Sequence, residues 1–306
     1  MIPFVLLGRT YLCNVMKNGF PVYNISSLSE FKADDILVSR FSPYLKIHKN
    51  LHSAHRHSFY HIVLFTEGTG THQIDFNRFE VKPFQIYFMI PGQVHSWNFQ
   101  EPVDGYVINF SGSFFGSFFL NPNYLNEFPF FSGSVNDQVL QIPEDFRPSI
   151  TSLFENIIAE GLITMPMGAD MVRVLLSNIF ISVSRLISAK GLDSKPSYND
   201  TLLENFKRLV EQNYKVLRLP KEYAALLYIT PNHLNSLCND VLAISAGEMI
   251  RNRVALEAKR LLVNVDIPVS EVAGQLNFTD NSYFSKFFKK HAGLTPDEFR
   301  KNFAKS

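Results

Sequence analysis

A two-helix pattern near the end of the chain constrains the fold more than any other feature. Over residues 269–276 apolar side chains, among them Val272 and Leu276, recur at the spacing of one helical stripe. Asn277 follows, and asparagine tolerates the left-handed backbone that ends a helix. Phe284 soon begins a second apolar stripe. A connection this short predicts two helices that cross and pack closely on each other.

The same pattern occurs about fifty residues earlier. The first copy precedes the second by 49 positions at Ala224, Leu227 and Thr230, and by 50 positions at Leu234, Leu237 and Cys238. Between the copies, Ser245 and Glu248 have the spacing of a capping box, which predicts the start of a long helix. The apolar face of that helix is Ile250, Val254, Ala258, Leu261, Leu262 and Val265. We therefore predict an all-α unit of two crossed helix pairs on one connecting helix.

The second helix of each pair has a polar outer face. In the second copy this face carries Ser282, Ser285, Lys286 and Lys289, and the first copy places Asn232, Asn235, Ser236 and Asn239 at the matching positions. Hydroxyls and long cations suit a DNA major groove and its phosphates, whereas asparagine can pair bidentately with adenine. The first face thus predicts an A·T-rich half-site. A passive, solvated helix, with the anion of Asp240 nearby, is the alternative.

Three segments of this region resemble the DNA-binding domain of the AraC/XylS transcription regulators. They are RVALEAKRLL at 253–262, VSEVAGQLNF at 269–278 and SYFSKFFKKHAGLTPDEFR at 282–300. The resemblance implies two helix-turn-helix units that bind double-stranded promoter DNA, usually as an activator that responds to a small effector and works with RNA polymerase. The residues expected to contact DNA are Asn232, His233, Asn235, Ser236, Asn239, Arg253, Asn281, Ser282, Ser285, Lys286, Lys289 and Lys290.

Two positions depart from the family pattern. Asn277 and Ala243 stand where the family commonly has glycine. Asparagine is a mild change, but alanine in a left-handed position carries strain that glycine avoids. Thr279 is the predicted cap of the helix after Asn277, and Gly293 is predicted to end it.

The first half of the chain has a different pattern. From Tyr44, short apolar or alternating runs recur between Gly, Pro and Asn breaks, which predicts an antiparallel barrel or sandwich. HRHSFYHIVLFTEGTG at 55–70 and PGQVHSW at 91–97 resemble the cupin-like effector domain of many AraC-type regulators. If His57 faces the barrel interior, then Phe59, His61, Val63 and Phe65 face it too.

A cluster of histidines in these two motifs is the candidate effector site. We expect the effector, with a sugar as one candidate class, to lie among His57, His61, Gln73, His95 and Trp97, since ligand sites combine apolar walls with a few convergent polar groups. His55, His57, His61 and His95 are also of the type that binds zinc, iron or nickel. The resemblance nevertheless implies polar wall residues or core partners without metal, as AraC-type effector domains often have, and His61 stands where metal-binding cupins have an acid. We therefore expect no metal and no cofactor.

Two predicted helices follow the barrel and form a hairpin. The first starts at residues 143–145, and the second starts at Pro166. The apolar residues of the second helix exceed what packing on the barrel needs, so we expect a homodimer interface there: Met171, Val174, Leu175, Ile179, Val183, Leu186 and Ile187. Asp200 or Thr201 is expected to cap the next helix. The expected divisions are a cupin-like domain at 1–140, a helical dimerisation hairpin at 141–190, a linker at 191–200 and an AraC-type domain at 201–306, with helix-turn-helix units at about 219–241 and 269–291.

Composition agrees with this α+β, two-domain class. From Pro196 onward there are 15 Lys and Arg against 12 Asp and Glu, a small excess of the sign that DNA binding requires. Cys13 and Cys238 fall in different predicted domains, so a disulfide is not expected and a reducing cytoplasm fits. No run of apolar residues reaches the length of a membrane span.

Three hypotheses for function follow. The first is a ligand-responsive, DNA-binding transcription regulator that is not an enzyme. The second is a cupin metalloenzyme fused to a DNA-binding tail, which substoichiometric metal in protein purified without chelators would exclude. The third is a regulator whose barrel only dimerises, which a lack of thermal stabilisation by any metabolite would favour.

Overall fold

The computed structural model describes residues 22–25, 35–48, 51, 53–100, 102–121, 124–133, 135–162, 166–189, 198–264 and 266–303. In this part of the chain, strands dominate up to Gln141 and helices follow. Cys13, Val265 and most of the predicted linker lie outside the described residues. We find no described helix that is long and apolar enough to cross a membrane.

The first domain is a barrel-like pair of five-stranded sheets. Its strands are β1 Val22–Tyr23, β2 Ile36–Arg40, β3 His55–His57, β4 Tyr60–Glu67, β5 Gly70–Ile74, β6 Asn77–Val81, β7 Gln85–Met89, β8 Val94–Phe99, β9 Asp104–Phe110 and β10 Val139–Gln141. One sheet has the order β1-β3-β8-β5-β6 and the other β10-β7-β4-β9-β2. Pairing is antiparallel except between β1 and β3. The predicted fold class is confirmed.

Strand β4 lies between two apolar cores. Val63 and Phe65 face the barrel interior, whereas Ile62 and Leu64 face the helical hairpin, and all four are fully buried. This alternation follows from the two-residue period of a strand, so the predicted inward direction of Val63 and Phe65 is confirmed. Because both faces are covered, β4 fixes the position of His61 at its start.

The helical hairpin packs on the second sheet. It consists of α3 (Arg147–Leu162) and α4 (Gly168–Ala189), and two short helices, α1 (Phe41–Ile47) and α2 (Gly112–Gly116), precede it. Helix α4 starts two residues later than predicted from Pro166, because Met167 adopts a left-handed φ of 62° that keeps it out of the helix. Fewer apolar side chains of α4 are left for an interface than predicted, because Ile179 and Val183 are buried against the barrel. Met171 and Val174 remain 48% exposed.

The second domain is all helical, as predicted. Its helices are α5 Tyr198–Asn213, α6 Pro220–Leu226, α7 Pro231–Leu242, α8 Ala246–Leu262, α9 Val269–Gln275, α10 Asn281–Ala292 and α11 Pro296–Phe303. The apolar face of α8 contributes Ile250, Val254, Ala258 and Leu262 to one core shared by both helix pairs. Cys238 lies in this core, where burial raises the pKa of its thiol to about 11. The connecting helix is therefore the common support of the two units.

Local backbone chemistry sets the helix ends. Helix α5 already begins at Tyr198, so Asp200 and Thr201 lie inside it instead of capping it. The cap of α10 is Asp280, one residue after the predicted Thr279, because the Asp280 carboxylate accepts from the Tyr283 N–H at 2.7 Å. Ser245 caps α8 as predicted, accepting from the Glu248 N–H at 3.1 Å.

The two departures from glycine are both left-handed. Ala243 has a φ of 55° and Asn277 a φ of 54°. The Asn277 amide also donates to the Lys215 carbonyl at 2.9 Å, which stabilises its turn. Ala243 ends α7 with a backbone hydrogen bond to Asn239 and bears the steric cost of its Cβ.

Candidate functional site

The outer face of α10 is polar and exposed. Phe284 and Phe288 are fully buried in the domain core. The opposite side presents Asn281, Ser282, Lys286, Lys289 and Lys290 to solvent, with Ser285 half-buried beside them. Three of these side chains are cations, and the helix is twelve residues long. This face has the size and charge that a major groove with its phosphates accommodates.

The outer face of α7 is uncharged except for one acid. Asn232, His233, Ser236 and Asn239 are exposed. The structure corrects the expectation for Asn235, which is half-buried and whose side-chain carbonyl accepts from the Ala246 N–H at 3.1 Å. It therefore ties α7 to the first turn of α8. Sequence spacing places it on the polar face but does not reveal this bond.

Arg253 is also corrected. Its side chain is 11% exposed, and its Nε lies 2.7–2.8 Å from the Glu211 carboxylate. Its Nη1 lies 3.1 Å from Glu257, and its guanidinium stacks 3.9 Å from the Tyr214 ring centroid. These contacts use the side chain to join α5 and α8 inside the domain. Arg253 is thus unsuited to DNA contact.

Five buried histidines meet inside the barrel. His55 and His57 come from β3, His61 from β4, His72 from β5 and His95 from β8, each with at most 3% exposure. Nε2 of His57 lies 3.1 Å from Nε2 of His55 and 2.7 Å from Nε2 of His95. Nδ1 of His95 lies 3.1 Å from Nε2 of His72. We call these five residues the histidine cluster.

Most of the predicted effector residues are brought together. His57, His61, His95 and Trp97 are buried and in ring contact with one another. Gln73 is the exception, because alternation along β5 turns its neighbour His72 inward and leaves Gln73 exposed. The sequence contained a signal for His72. Ile74 is apolar and lies two residues further along β5, so both side chains point to the same face of the strand.

Hydrogen bonds orient two members of the cluster. His55 Nδ1 lies 2.7 Å from the Ser53 carbonyl, and His61 Nδ1 lies 2.5 Å from the Asn109 side-chain carbonyl. The Asn109 amide in turn donates to the Tyr44 hydroxyl, which fixes its orientation. A carbonyl only accepts, so both Nδ1 atoms carry the proton and both Nε2 atoms keep a lone pair.

Burial keeps the cluster neutral. It lowers the pKa of His55 to about 3 and that of His61 to about 4. Burial, and then the charges of the other imidazoles, lowers the pKa of His57, His72 and His95 well below the usual value. At neutral pH all five imidazoles therefore offer lone pairs.

A buried ion pair joins the barrel to the connecting helix. The guanidinium of Arg260 on α8 contacts the Asp75 carboxylate at 2.8 and 2.9 Å in a two-pronged arrangement. Their side chains are 2% and 0% exposed. Asp75 directly follows β5, and it also accepts from the Gln93 side chain and from the Val94 N–H. Sequence patterns did not indicate either partner.

An aromatic contact and a cleft complete the boundary between the domains. Phe76 packs edge-on against Phe299 and Phe303 of α11. Elsewhere along the boundary, a cleft of about 570 Å³ opens beside α5. Its walls include Tyr60, Pro129, Phe131, Lys207, Arg208 and Glu211.

Two family models match this chain. The AraC-like ligand binding domain matches residues 45–164, and a helix-turn-helix domain matches residues 223–302. The first range covers strands β3 to β10 of the barrel with α3, and the second covers the two crossed helix pairs with α8. The first match thus contains the histidine cluster, and the second contains the polar helices α7 and α10.

Individual relatives are regulators. YijO of Escherichia coli K12, an HTH-type transcriptional regulator, is 30% identical over 35% of this chain and 38% of its own length. YesN of Bacillus subtilis, a transcriptional regulatory protein, is 32% identical over 34% of this chain and 29% of its own length. The chain spans less than half of the length of these relatives. The transcriptional activator RhaR of Enterobacter sp. is 19% identical over 82% of this chain and 88% of its own. Among solved structures, ToxT of Vibrio cholerae O395 has a TM-score of 0.42 and 16% identity over 87% of this chain and 96% of that chain.

Proposed function

Because the chain belongs to the AraC family of transcription regulators, we propose that it is a sequence-specific regulator of transcription, with activation as its mode, that responds to an effector bound in the barrel. The observation that carries this proposal is the pair of exposed polar helices, α7 and α10, on the single support of α8. Two such recognition helices can address successive major-groove segments on one face of DNA.

The family consists of DNA-binding regulators and not of enzymes. The proposed partners are therefore double-stranded promoter DNA and RNA polymerase. This function places the protein in the cytoplasm, where promoter DNA is found. A metalloenzyme with a DNA-binding tail is not favoured.

The proposed effector site is the histidine cluster with Trp97. It offers polar nitrogens inside apolar walls, which is typical of ligand sites. The cleft beside α5 is a second candidate effector site, and its volume of about 570 Å³ lies in the usual range for an organic effector such as a sugar. A ligand that raises the melting temperature of the wild type identifies its site through two variants. If His95→Gln abolishes this stabilisation, the ligand binds in the cluster, and if Arg208→Ala abolishes it, the ligand binds in the cleft.

We propose that the chain dimerises through α4. Met171 and Val174 are exposed within one turn of α4, and the exposed Met167 immediately precedes this helix. A second copy of the same apolar surface would cover it. Met171→Glu should convert dimers to monomers in analytical ultracentrifugation. Ala159→Glu, an exposed change on α3, is the matched control and should leave dimers intact. A wild-type monomer at all concentrations would contradict the interface.

Mapping of chromosomal binding sites tests the proposed function. The wild-type chain should occupy a small set of promoters, and transcription from them should change when the gene is deleted. A variant with Lys286, Lys289 and Lys290 all changed to Ala should lose this occupancy, whereas Lys46→Ala on the barrel should keep it. Absence of discrete sites for the wild type would contradict the proposal.

A further inference from the structure

The histidine cluster has the geometry of a metal site. We infer that the imidazoles of His55, His57 and His95 bind one divalent transition-metal ion of the zinc, nickel, cobalt or iron class. This inference rests on the proposed function, since it names the ligand class of the proposed effector site. It also replaces the sequence-based expectation of no metal.

The ring nitrogens are already close to coordinating positions. One ligand atom from each of the three residues lies within 4.8 Å of the other two. A tetrahedral ion at about 2.0–2.1 Å from each nitrogen would separate the nitrogens by roughly 3.3 Å. The Nε2 atoms of His57 and its two neighbours are 3.1 and 2.7 Å apart. These two separations are about 0.2 and about 0.6 Å shorter than the tetrahedral value, so the rings must move apart to bind an ion, whereas an organic molecule has no room between these atoms.

Counting protons shows why the three rings need a cation. His55 Nε2 keeps its lone pair, because Nδ1 donates to the Ser53 carbonyl. Each neutral imidazole carries one proton. If His57 Nε2 holds the proton, one N–H must serve two acceptors. If it does not, two lone pairs face each other at 3.1 Å. A metal ion accepts all three lone pairs together and removes this conflict.

Orphaned polar atoms around the three rings support the same conclusion. Among the described residues, His57 Nδ1, His61 Nε2, His72 Nδ1 and Trp97 Nε1 are buried without a hydrogen-bond partner. Buried polar atoms are usually paired, so such a concentration around one point is unusual in a packed interior. A bound ion with a further ligand of its own would provide hydrogen-bond partners for some of these nitrogen atoms.

The outer partners suit metal ligands as well. A ligating histidine usually donates its other ring N–H to a carbonyl or a similar acceptor, which fixes its tautomer. Nδ1 of His55 does so to Ser53, and Nδ1 of His95 lies within hydrogen-bond distance of His72 Nε2.

The ion would be connected to the DNA-binding domain through two strands. His72 on β5 is followed by Asp75, and His95 on β8 is preceded by Val94, whose N–H donates to Asp75 at 3.3 Å. Asp75 holds Arg260 of the connecting helix. These contacts form a continuous path from the His95 ring to the domain boundary.

Metal titration of the full, untagged chain tests the inference. After treatment with a chelator and dialysis, we expect the protein to bind one equivalent of Co²⁺ and to show the visible absorption of a tetrahedral site, which Zn²⁺ displaces. His95→Gln should weaken binding by more than about tenfold. His291→Gln, outside the barrel, is the control and should bind as the wild type does. Circular dichroism of each variant verifies that it is folded.

The outcomes separate this inference from the proposed function. Discrete promoter binding with no stoichiometric metal uptake would overturn the metal site and leave the regulator. Uptake of metal without sequence-specific DNA binding would support the site and contradict the regulator. Equal metal binding by the wild type and a folded His95→Gln variant would show adventitious binding and overturn the inference.

Discussion

At the level of single residues, the two recognition helices offer different chemistry to DNA. Helix α10 presents Lys286, Lys289 and Lys290, whereas α7 presents no cation between Pro231 and Leu242. Phosphate contacts supply most nonspecific affinity, and contacts to base edges supply specificity. Affinity should therefore depend mainly on the second unit, while the exposed asparagines of the first read bases.

The first prediction concerns Lys289. Lys289→Ala should weaken DNA binding and lower the slope of log K against log salt concentration by roughly one unit, because one phosphate contact is lost. Fluorescence anisotropy over a series of salt concentrations measures this slope. Lys46→Ala is the control, since this exposed lysine lies on the barrel. An unchanged slope for Lys289→Ala would rule out the contact.

A second prediction separates two asparagines of α7. Asn235→Ala should destabilise the domain by about 0.5–2 kcal/mol, the usual cost of losing a side-chain cap, because Asn235 accepts from the first turn of α8. Asn239→Ala should leave stability unchanged but reduce the preference for adenine in binding selection. Urea denaturation and selection test the two effects. The assignment fails if Asn239→Ala selects the same sequences as the wild type.

Predictability differs from residue to residue. The inward directions of Val63 and Phe65 could be predicted because strand alternation is a local property. The contacts of Arg253 and Asn235 could not be predicted, because their partners lie elsewhere in the sequence. The direction of Gln73 could not be predicted either, because a shift of one residue along a strand reverses the face to which a side chain points. His72 was missed because it is the neighbour of Gln73, the residue that was expected to face inward.

At the level of elements, the connecting helix α8 determines how the two crossed pairs are held. Its Ile250, Val254, Ala258 and Leu262 are buried in a core that both units share. The amphipathic period of this helix predicted most of that face, together with the cap at Ser245. The helix ends at Leu262, and the last residue of the predicted apolar face, Val265, lies outside the described residues.

The third prediction follows from this shared core. Leu262 is fully buried, so Leu262→Ala should create a cavity and cost about 2–5 kcal/mol of the free energy of unfolding. Both units should lose hydrogen-exchange protection together. Val241→Ala, which shortens an exposed apolar side chain on α7, should change stability little. Loss of protection in only one unit would indicate independent modules.

At the level of the whole molecule, the boundary between the barrel and the helical domain is built around a buried charge pair. Arg260 belongs to the same helix that supports both recognition helices, and Asp75 follows the strand that carries His72. Sequence patterns could predict each domain separately, because strand and helix periods are local. They could not predict this pairing, because its partners lie 185 residues apart.

A fourth prediction tests this boundary. Arg260→Ala leaves the Asp75 carboxylate buried without its cation, which typically costs about 3–5 kcal/mol. The barrel and the helical domain should then unfold in separate calorimetric transitions, and the effector should no longer change DNA affinity. Arg251→Ala, an exposed change on the same helix, is the matched control for the calorimetry and should leave one transition. A single unshifted transition in Arg260→Ala would show that the pair does not couple the domains.

The central claim, that two helix-turn-helix units on one helix read DNA, is tested most directly by in vitro binding selection with the full chain. We predict enrichment of a two-part element in which an adenine-rich segment lies about ten base pairs from the segment bound by α10, the one-turn spacing of tandem units. Recovery of random sequence after repeated rounds would contradict the account.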